Sequence, residues 1–553
     1  MKQGVEVSES GATFRVWAPK HRALQLNLDG RDYPMSATGP GEFSLFRPDA
    51  HPRMSYAYRF EDGRLRPDPA SRRQPEGVHE RSAIFDPKAF RWSDMRWKGG
   101  PLESLVFYEL HVGTFTDGGT LDAAVRHLPE LAELGITCVE LMPLQPFAGN
   151  RNWGYDGVLP YAVHEGYGGP ETLQRFIDSA HRVGLAVCLD VVFNHLGPEG
   201  NYLEEFGPYF SSRHRSPWGD GINYDGEQSA PVRQFVIEAA LQWVRDFRAD
   251  ALRLDAVHAI ADDSPRHIVR EITHAIRKFA KRADRQIHVI AESDLNDRRV
   301  VEAGPAGWGA SAMWADDFHH AVHAWLTQER AHYYADFGDP RSLVKALSEG
   351  FTYQGQLSEF RNRPHGFSAV GLVPSNFVFA LQNHDQIGNR PHGERLFSLL
   401  PQEAWPPLAA ILLLGPSLPL LFMGEEYGET RPFLYFTSHS EPALAKAVSE
   451  GRRREFIARG EAEVPDPQAV ETFTASKLTH RRDGSAGAMR DLYRNLLQLR
   501  RQYQECISRE WPRVSIDGKV VTMVRSRVSL TANLGPEPAS GLPPWGWKVE
   551  PHG

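Results

Sequence analysis

The chain has 553 residues, 41% apolar and 24% charged, with 62 basic side chains against 70 acidic ones and a formal charge of −8. That length exceeds one ordinary core and implies about two to four domains, in the composition range of ordinary soluble proteins. The acidic balance and the lack of a long basic block exclude nucleic acid and anionic membranes as expected partners.

Cys138, Cys188 and Cys506 are widely spaced, and two of them fall in apolar strand-like runs. Buried free thiols and a reducing, cytoplasmic compartment are the expectation. The opening Met1-Lys-Gln-Gly-Val-Glu-Val has no apolar signal core. The longest apolar run, 408–423, is broken by Gly415, Pro416 and Pro419. It is too short to span a bilayer and reads as the end of a buried helix, a turn and a buried strand.

Residues 1–90 read as a small β-sandwich. Runs at 12–17, 24–28 and 56–60 alternate in polarity, with turn signals Asp29-Gly30, Gly39-Pro-Gly41 and Asp62-Gly63 between them. The Pro/Arg-rich stretch 66–81 reads as an irregular connector. From about residue 102 strands and helices alternate. Strands are expected at 105–110, 136–141, 185–192, 250–257, 287–291, 311–317, 377–381 and 418–422. Helices are expected at 121–134, 172–183, 231–247, 265–283, 343–347, 405–414 and 489–504. Eight strands alternating with helices predict a (β/α)8 barrel over 91–508, with an irregular insertion after the third strand at about 194–230. Charged, proline-containing 452–468 reads as a surface insertion with no assigned role. The runs 519–524 and 528–532 predict a small C-terminal β-domain over 509–553.

In such a barrel the chemistry gathers at the C-terminal ends of the strands. Here the third ends Asp190-Val-Val-Phe-Asn-His195, and the fourth carries Arg253, Asp255 and His258. The fifth ends in Glu292, the seventh in Gln382-Asn-His-Asp385 and the eighth in Gly424-Glu-Glu426. Each alone is as well explained by a cap or a structural ion pair. Together they bring like charges to one face, which costs energy unless it is used.

A strand period of two puts Arg253 and Asp255 on the same face, where the guanidinium keeps the carboxylate ionised and aimed. Glu292 follows an apolar strand, a setting expected to desolvate it and keep it a proton donor. One ionised and one protonated carboxyl flanking a bond are the equipment of glycoside hydrolysis. Asp385 is a third carboxyl, suited to gripping sugar hydroxyls. Metal binding is the competing use of Asp and His, but no tight His or Cys pair spacing supports it, and no cofactor is expected. Trp153, Tyr155, Trp218 and Tyr224 sit between strands, where rings either stack on sugars or pack loops.

The segments Asp190-Val-Val-Phe-Asn-His195, Ala251-Leu-Arg-Leu-Asp-Ala-Val-His258, Glu292 and Asn383-His-Asp385 resemble, in order, the four signature segments of the α-amylase clan of glycoside hydrolases. The resemblance implies a retaining mechanism with Asp255 as nucleophile, Glu292 as general acid/base and Asp385 as transition-state stabiliser. It also implies that His195, Arg253 and His384 hold the sugar before the cut, with Tyr155 stacked beneath it. Within the clan, Asn194-His-Leu-Gly-Pro-Glu-Gly-Asn-Tyr-Leu203 and the Trp218 segment are similar both to the maltooligosyltrehalose trehalohydrolase family and to glycogen branching enzymes, whereas residues 247–260 around His258 and Met423-Gly-Glu-Glu-Tyr-Gly-Glu429 look more like the trehalohydrolase family. That implies hydrolysis of the α-1,4 bond joining a maltooligosyl chain to a terminal trehalose. Phe360-Arg361 resembles that family's Phe-Arg pair near the leaving trehalose, although a solvated surface arginine would look the same in sequence. Two rivals stand beside this expectation: a branching enzyme of the same clan and a non-catalytic binder of α-1,4-glucan oligosaccharides.

Overall fold

Eight short apolar runs close into one parallel barrel. Its strands are β1 (Phe107–Leu110), β2 (Cys138–Leu141), β3 (Ala186–Val191), β4 (Ala251–Leu254), β5 (His288–Glu292), β6 (Ala312–Trp314), β7 (Phe377–Ala380) and β8 (Leu418–Phe422). They pair in that order and β8 returns to β1. This computed structural model describes residues 2–552 except 217, 459, 461 and 462, and leaves the Cys506 side chain undescribed.

Every expected barrel strand is present, the sixth shortened to three residues. The helices depart after β1, β5, β6 and β8. Residues 121–134 form two helices, Leu121–Val125 and Leu128–Leu134, because Pro129 can stand only in the first turn of a helix. β5 is followed only by a 3-10 turn, Arg298–Val300, since the Gly304-Pro305 segment that comes next cannot sustain a helix. β6 is followed by an unforeseen helix, Asp317–Thr327, before Pro340–Glu349. The 452–468 segment is not simply a surface insertion. Its first part belongs to the helix Pro442–Ile457, and residues 459, 461 and 462 lie outside the described residues.

The expected β-sandwich and C-terminal β-domain flank the barrel. Strands Gly4–Ser8, Gly11–Trp17, Glu42–Arg47 and Ser36–Gly39 form one sheet, and Arg31–Pro34, Gln25–Leu28, Ser55–Arg59 and Leu65–Arg66 another, with Ser82–Ala83 added to Ser55–Arg59. Buried Phe14, Leu26 and Tyr56 belong to one core, with Phe14 edge-on to Tyr56 at 5.2 Å. The connector ties this unit to the barrel, as Arg73 pairs with Glu165 (3.1 Å) and Glu171 (2.6 Å). At the other end Arg513–Asp517, Val520–Val524, Val528–Asn533 and Trp547–Pro551 form an antiparallel sheet in chain order.

The strand period places the site. Phe107, Cys138, Cys188, Ala251, Ile290 and Ala312 form an apolar cluster inside the barrel. Two residues further along the same strands stand Glu109, Glu140, Asp190, Arg253, Glu292 and Trp314. Because side chains repeat on one face every second residue, a charged layer must sit on top of the apolar one. Cys138 and Cys188, both in the apolar layer, are free thiols. No helix among the described residues is long and apolar enough to cross a membrane.

Candidate active site

The charged layer opens into a cavity of about 640 Å³ at the C-terminal ends of the strands. Arg253 organises its floor. Fully buried, it donates from Nη1 to Asp190 Oδ2 (2.6 Å) and Asp255 Oδ1 (2.9 Å), while Nη2 lies 2.8 Å from Glu292 Oε2. Its guanidinium also lies 4.3 Å from the centre of the Trp314 ring. Arg253 therefore does not reach the cavity as a direct sugar contact. It braces the carboxylates from below.

The turn after β4 completes that brace. The strand ends at Leu254, short of the expected 257, because Ala256 adopts a left-handed conformation (φ 39°). Such a conformation is costly for a residue with a Cβ and persists where the surroundings over-determine it. Here it aims the Ala256 amide at Glu292 Oε2, 2.7 Å away. Asn194 Nδ2 donates to Asp255 Oδ2 at 2.6 Å, so both Asp255 oxygens are held. Glu292 Oε2 is occupied twice, and among the described residues Oε1 accepts no hydrogen bond. Glu292 is not sealed as its apolar strand led us to expect: its side chain keeps 17% exposure and contacts a cation.

Asp385 enters from the short helix His384–Gly388, capped by the Asn383 side chain, which accepts from the Asp385 and Gln386 amides. Burial on the cavity wall, with Glu292 nearby, raises its carboxyl above the usual range. His384 beside it is held by Glu109, whose Oε1 lies 2.5 Å from Nδ1 and whose Oε2 accepts from the His384 amide. Burial alone would lower the imidazole, but the Glu109 carboxylate outweighs it and pushes His384 up to about 9. Asp190 is pushed up to about 7 by burial, which Arg253 only partly offsets.

The cavity brings together Asp255, Glu292, Asp385, Tyr155, His195, His258, Phe360, Arg361, His384 and Trp218. Tyr155 lies flat against His384 (5.1 Å between rings) and donates to Asp190 Oδ2 at 2.7 Å. Trp218, half exposed, stacks on His195 at 4.8 Å. Burial lowers the His195 imidazole. Arg361 is not a solvated arginine: it lies 3.0 Å from Asp294 and 3.8 Å from Asp336, beside the half-exposed Phe360. His258 is exposed at the rim, its Nδ1 accepting from the Asp294 amide at 3.4 Å.

Tyr224 and the end of β8 lie away from the cavity. Tyr224 is packed in the core with its hydroxyl on the Phe193 carbonyl (2.7 Å), a loop-packing residue. Gly424 turns the chain in a left-handed conformation (φ 87°), and Glu425 and Glu426 point away behind β8. They accept from Tyr493 and Tyr108 (3.0 and 3.1 Å) and do not line the cavity. Residues missed in sequence include Glu109, Glu140, Asp316 and, from the helix Pro442–Ile457, the lining residues Val448, Arg452 and Glu455. Glu109 and Glu140 did leave a signal, a lone carboxyl within an otherwise apolar strand.

The α-amylase catalytic-domain family matches residues 56–220. The malto-oligosyltrehalose trehalohydrolase of Saccharolobus solfataricus is 45% identical over 505 residues, 91% of this chain and 87% of that protein. That of Rhizobium sp. (strain M-11) is 47% identical over 514 residues, 90% and 86% of the two chains. The crystal structure of a Salmonella typhimurium protein, provisionally designated an α-amylase, is 40% identical with a TM-score of 0.93 and complete coverage of both chains. A 1,4-α-glucan branching enzyme of Bacillus cereus stands further off, 28% identical over 76% of this chain and 67% of that protein. On these identities and coverages, the chain belongs to the malto-oligosyltrehalose trehalohydrolase family.

Proposed function

We propose that the protein is a retaining glycosidase that cleaves the α-1,4-glucosidic bond next to the terminal trehalose of maltooligosyltrehalose and releases trehalose. The observation that carries this reading is the pair Asp255 and Glu292 on one guanidinium, lining one cavity with Asp385, in a chain 45% identical to a trehalohydrolase. In the first step Asp255 attacks the anomeric carbon while a proton on Glu292 passes to the bridging oxygen. Trehalose leaves and a glycosyl ester forms on Asp255. In the second step water gives its proton to Glu292 and its oxygen to the anomeric carbon. The maltooligosaccharide is released and Asp255 regains its carboxylate. Bridging by one guanidinium fits the roughly 5 Å carboxyl separation of retaining enzymes better than the wider gap of inverting ones. Oε1 of Glu292 is the oxygen left to carry the proton. Asp385 grips hydroxyls of the distorted sugar, Tyr155 stacks beneath it, and His195 and His384 flank it. Phe360 and Arg361 receive the leaving trehalose, with Trp218 and His258 at the rim. No step calls for a metal or cofactor.

We take 1–90, 91–508 and 509–553 as the three units and place the enzyme in the cytoplasm, where the buried thiols of Cys138 and Cys188 suit reducing conditions. Incubation with maltooligosyltrehalose should release trehalose, with the new reducing end first seen as the α-anomer by NMR. New branches on amylose would favour the branching reaction, and binding without product a non-catalytic role.

A further inference from the structure

We propose that Asp316 is a specificity-determining residue of this site: a fourth carboxyl that donates a hydrogen bond to a hydroxyl of the leaving disaccharide. The inference deepens the trehalohydrolase reading and rests on it. Asp316 stands just past β6, at the start of the helix Asp317–Thr327, and lines the cavity. In barrel order it lies between Glu292, on β5, and Asp385, after β7. His320, whose amide donates to the Asp316 carbonyl, and Tyr333 stand near it, and Tyr333 lies edge-on to Phe360 at 6.4 Å, so the Phe360-Arg361 side of the cavity is close by.

Two features set its chemistry. Gln386 Nε2 donates to Oδ1 at 3.0 Å, and among the described residues Oδ2 accepts nothing. No cation forms an ion pair with Asp316 among the described residues, although Arg361 pairs with Asp294 and lies 3.8 Å from Asp336. The groups around Asp316 are acidic or neutral. β5 and the turn after it bring Glu292 and Asp294, the β7 end brings Asp385, and its own helix brings Asp317. His320, one turn along, is held neutral by burial, down to about 3, and Tyr333 stays a phenol. Burial first, and then these carboxylates, push Asp316 up to about 8. With Oδ1 taken by an amide N–H, the proton belongs on Oδ2. A neutral acid there is a donor, and a sugar hydroxyl or ring oxygen is its natural acceptor.

The test compares wild-type enzyme with Asp316→Ala and Asp316→Asn. It measures kcat/KM on maltooligosyltrehalose from pH 5 to 10, and Ki for trehalose as a product inhibitor. Asp316→Ala should raise the trehalose Ki and lower kcat/KM by about tenfold, the worth of one hydrogen bond to the ligand. Asp316→Asn keeps the Gln386 contact and an N–H donor, so it should recover at least half of that loss on a logarithmic scale. It should also move the alkaline limb of the profile upward from near pH 8, because an amide has no proton to lose there. An unchanged Ki in Asp316→Ala, or Asp316→Asn as impaired as Asp316→Ala, would overturn the role. So would an unmoved alkaline limb in Asp316→Asn. A wild-type enzyme that releases no trehalose would instead sink the trehalohydrolase reading itself.

Discussion

Glu109→Gln tests how the site keeps a buried histidine charged. The substitution changes almost no volume and leaves a carbonyl to meet His384 Nδ1, but it removes the carboxylate that, among the described residues, pairs with that imidazole. The gap between the ordinary 6.5 and about 9 corresponds to roughly 3 kcal/mol of coupling. The folded-state value is raised, so this stabilisation is complete below about pH 6.5 and is lost as pH climbs through about 9. Without Glu109, burial and the Arg253 charge oppose only the Asp385 carboxylate, and His384 should be neutral at pH 7. With the histidines labelled by 15N, the His384 resonance should titrate near 9 in the wild type and below 6.5 in the variant. The stability difference between the two proteins, followed by thermal unfolding, should be widest near pH 6 and close by pH 10. Turnover at pH 7 should fall at least tenfold, since a cation beside Asp385 and the bound sugar has gone. A resonance with the same midpoint in both proteins would refute the reasoning, as would a stability gap independent of pH.

Asp255→Asn, Glu292→Gln and Asp385→Asn should each lower kcat by at least about a thousandfold while circular dichroism stays that of the wild type; near-normal turnover in any of them would remove that residue from the mechanism. Arg253→Lys should cost more than a hundredfold, because a single ammonium cannot reach Asp190, Asp255 and Glu292 together. Arg253→Met should also destabilise by about 3–5 kcal/mol, buried Asp190 and Asp255 and the less enclosed Glu292 having lost their cation; equal melting points would argue that they shed their charge instead. Phe360→Ala and Arg361→Ala should raise KM for maltooligosyltrehalose and Ki for trehalose more than they change kcat. The opposite pattern would place them nearer the bond that breaks.

The barrel was legible because its strands are short, apolar and separated by helical periodicity, a pattern that survives errors of two or three residues at each end. The catalytic carboxyls were legible for a simpler reason: each ends a strand, and in a parallel barrel all such ends meet. What failed depended on backbone turns. Nothing in Gly424-Glu-Glu426 says that the glycine rotates both glutamates behind β8, nor that Ala256 turns its amide onto Glu292. Tyr224 and Tyr155 look alike in sequence, and only packing separates the core residue from the one facing the cavity. Glu109 and Glu140 were readable as anomalies, carboxyls in strands where every neighbour is apolar. Asp316 lies past the end of the shortest strand, and nothing in sequence told it from a helix cap.

Charge ties these residues together. Glu109, Glu140, Asp190, Asp255, Glu292, Asp316 and Asp385 crowd the barrel mouth, and Arg253 and His384 are the cations that pair with the acids of its floor. Arg253 serves Asp190, Asp255 and Glu292, and His384 serves Glu109. Among the described residues Glu140 has no hydrogen-bond partner for either oxygen, and burial raises it far above the usual carboxylate range. Asp190 at about 7 and Asp316 at about 8 are raised in the same sense, as are Glu426 at about 7 and Glu425 at about 8 behind β8. Each of these acids favours the fold while both states are protonated, and that contribution is lost as pH rises toward its folded-state value. His384 acts in the same direction between about 6.5 and 9. Buried His111 and His164, lowered to about 4, act oppositely, but only below about 6.5. Above 6.5 nothing in this set compensates. Thermal stability should therefore fall steadily from about pH 6.5 to 8.5, well before ordinary lysines or tyrosines titrate. A melting temperature that stays flat across that window would mean that the acids of the barrel mouth ionise without cost, and that Arg253 and His384 do not set which of them carry charge.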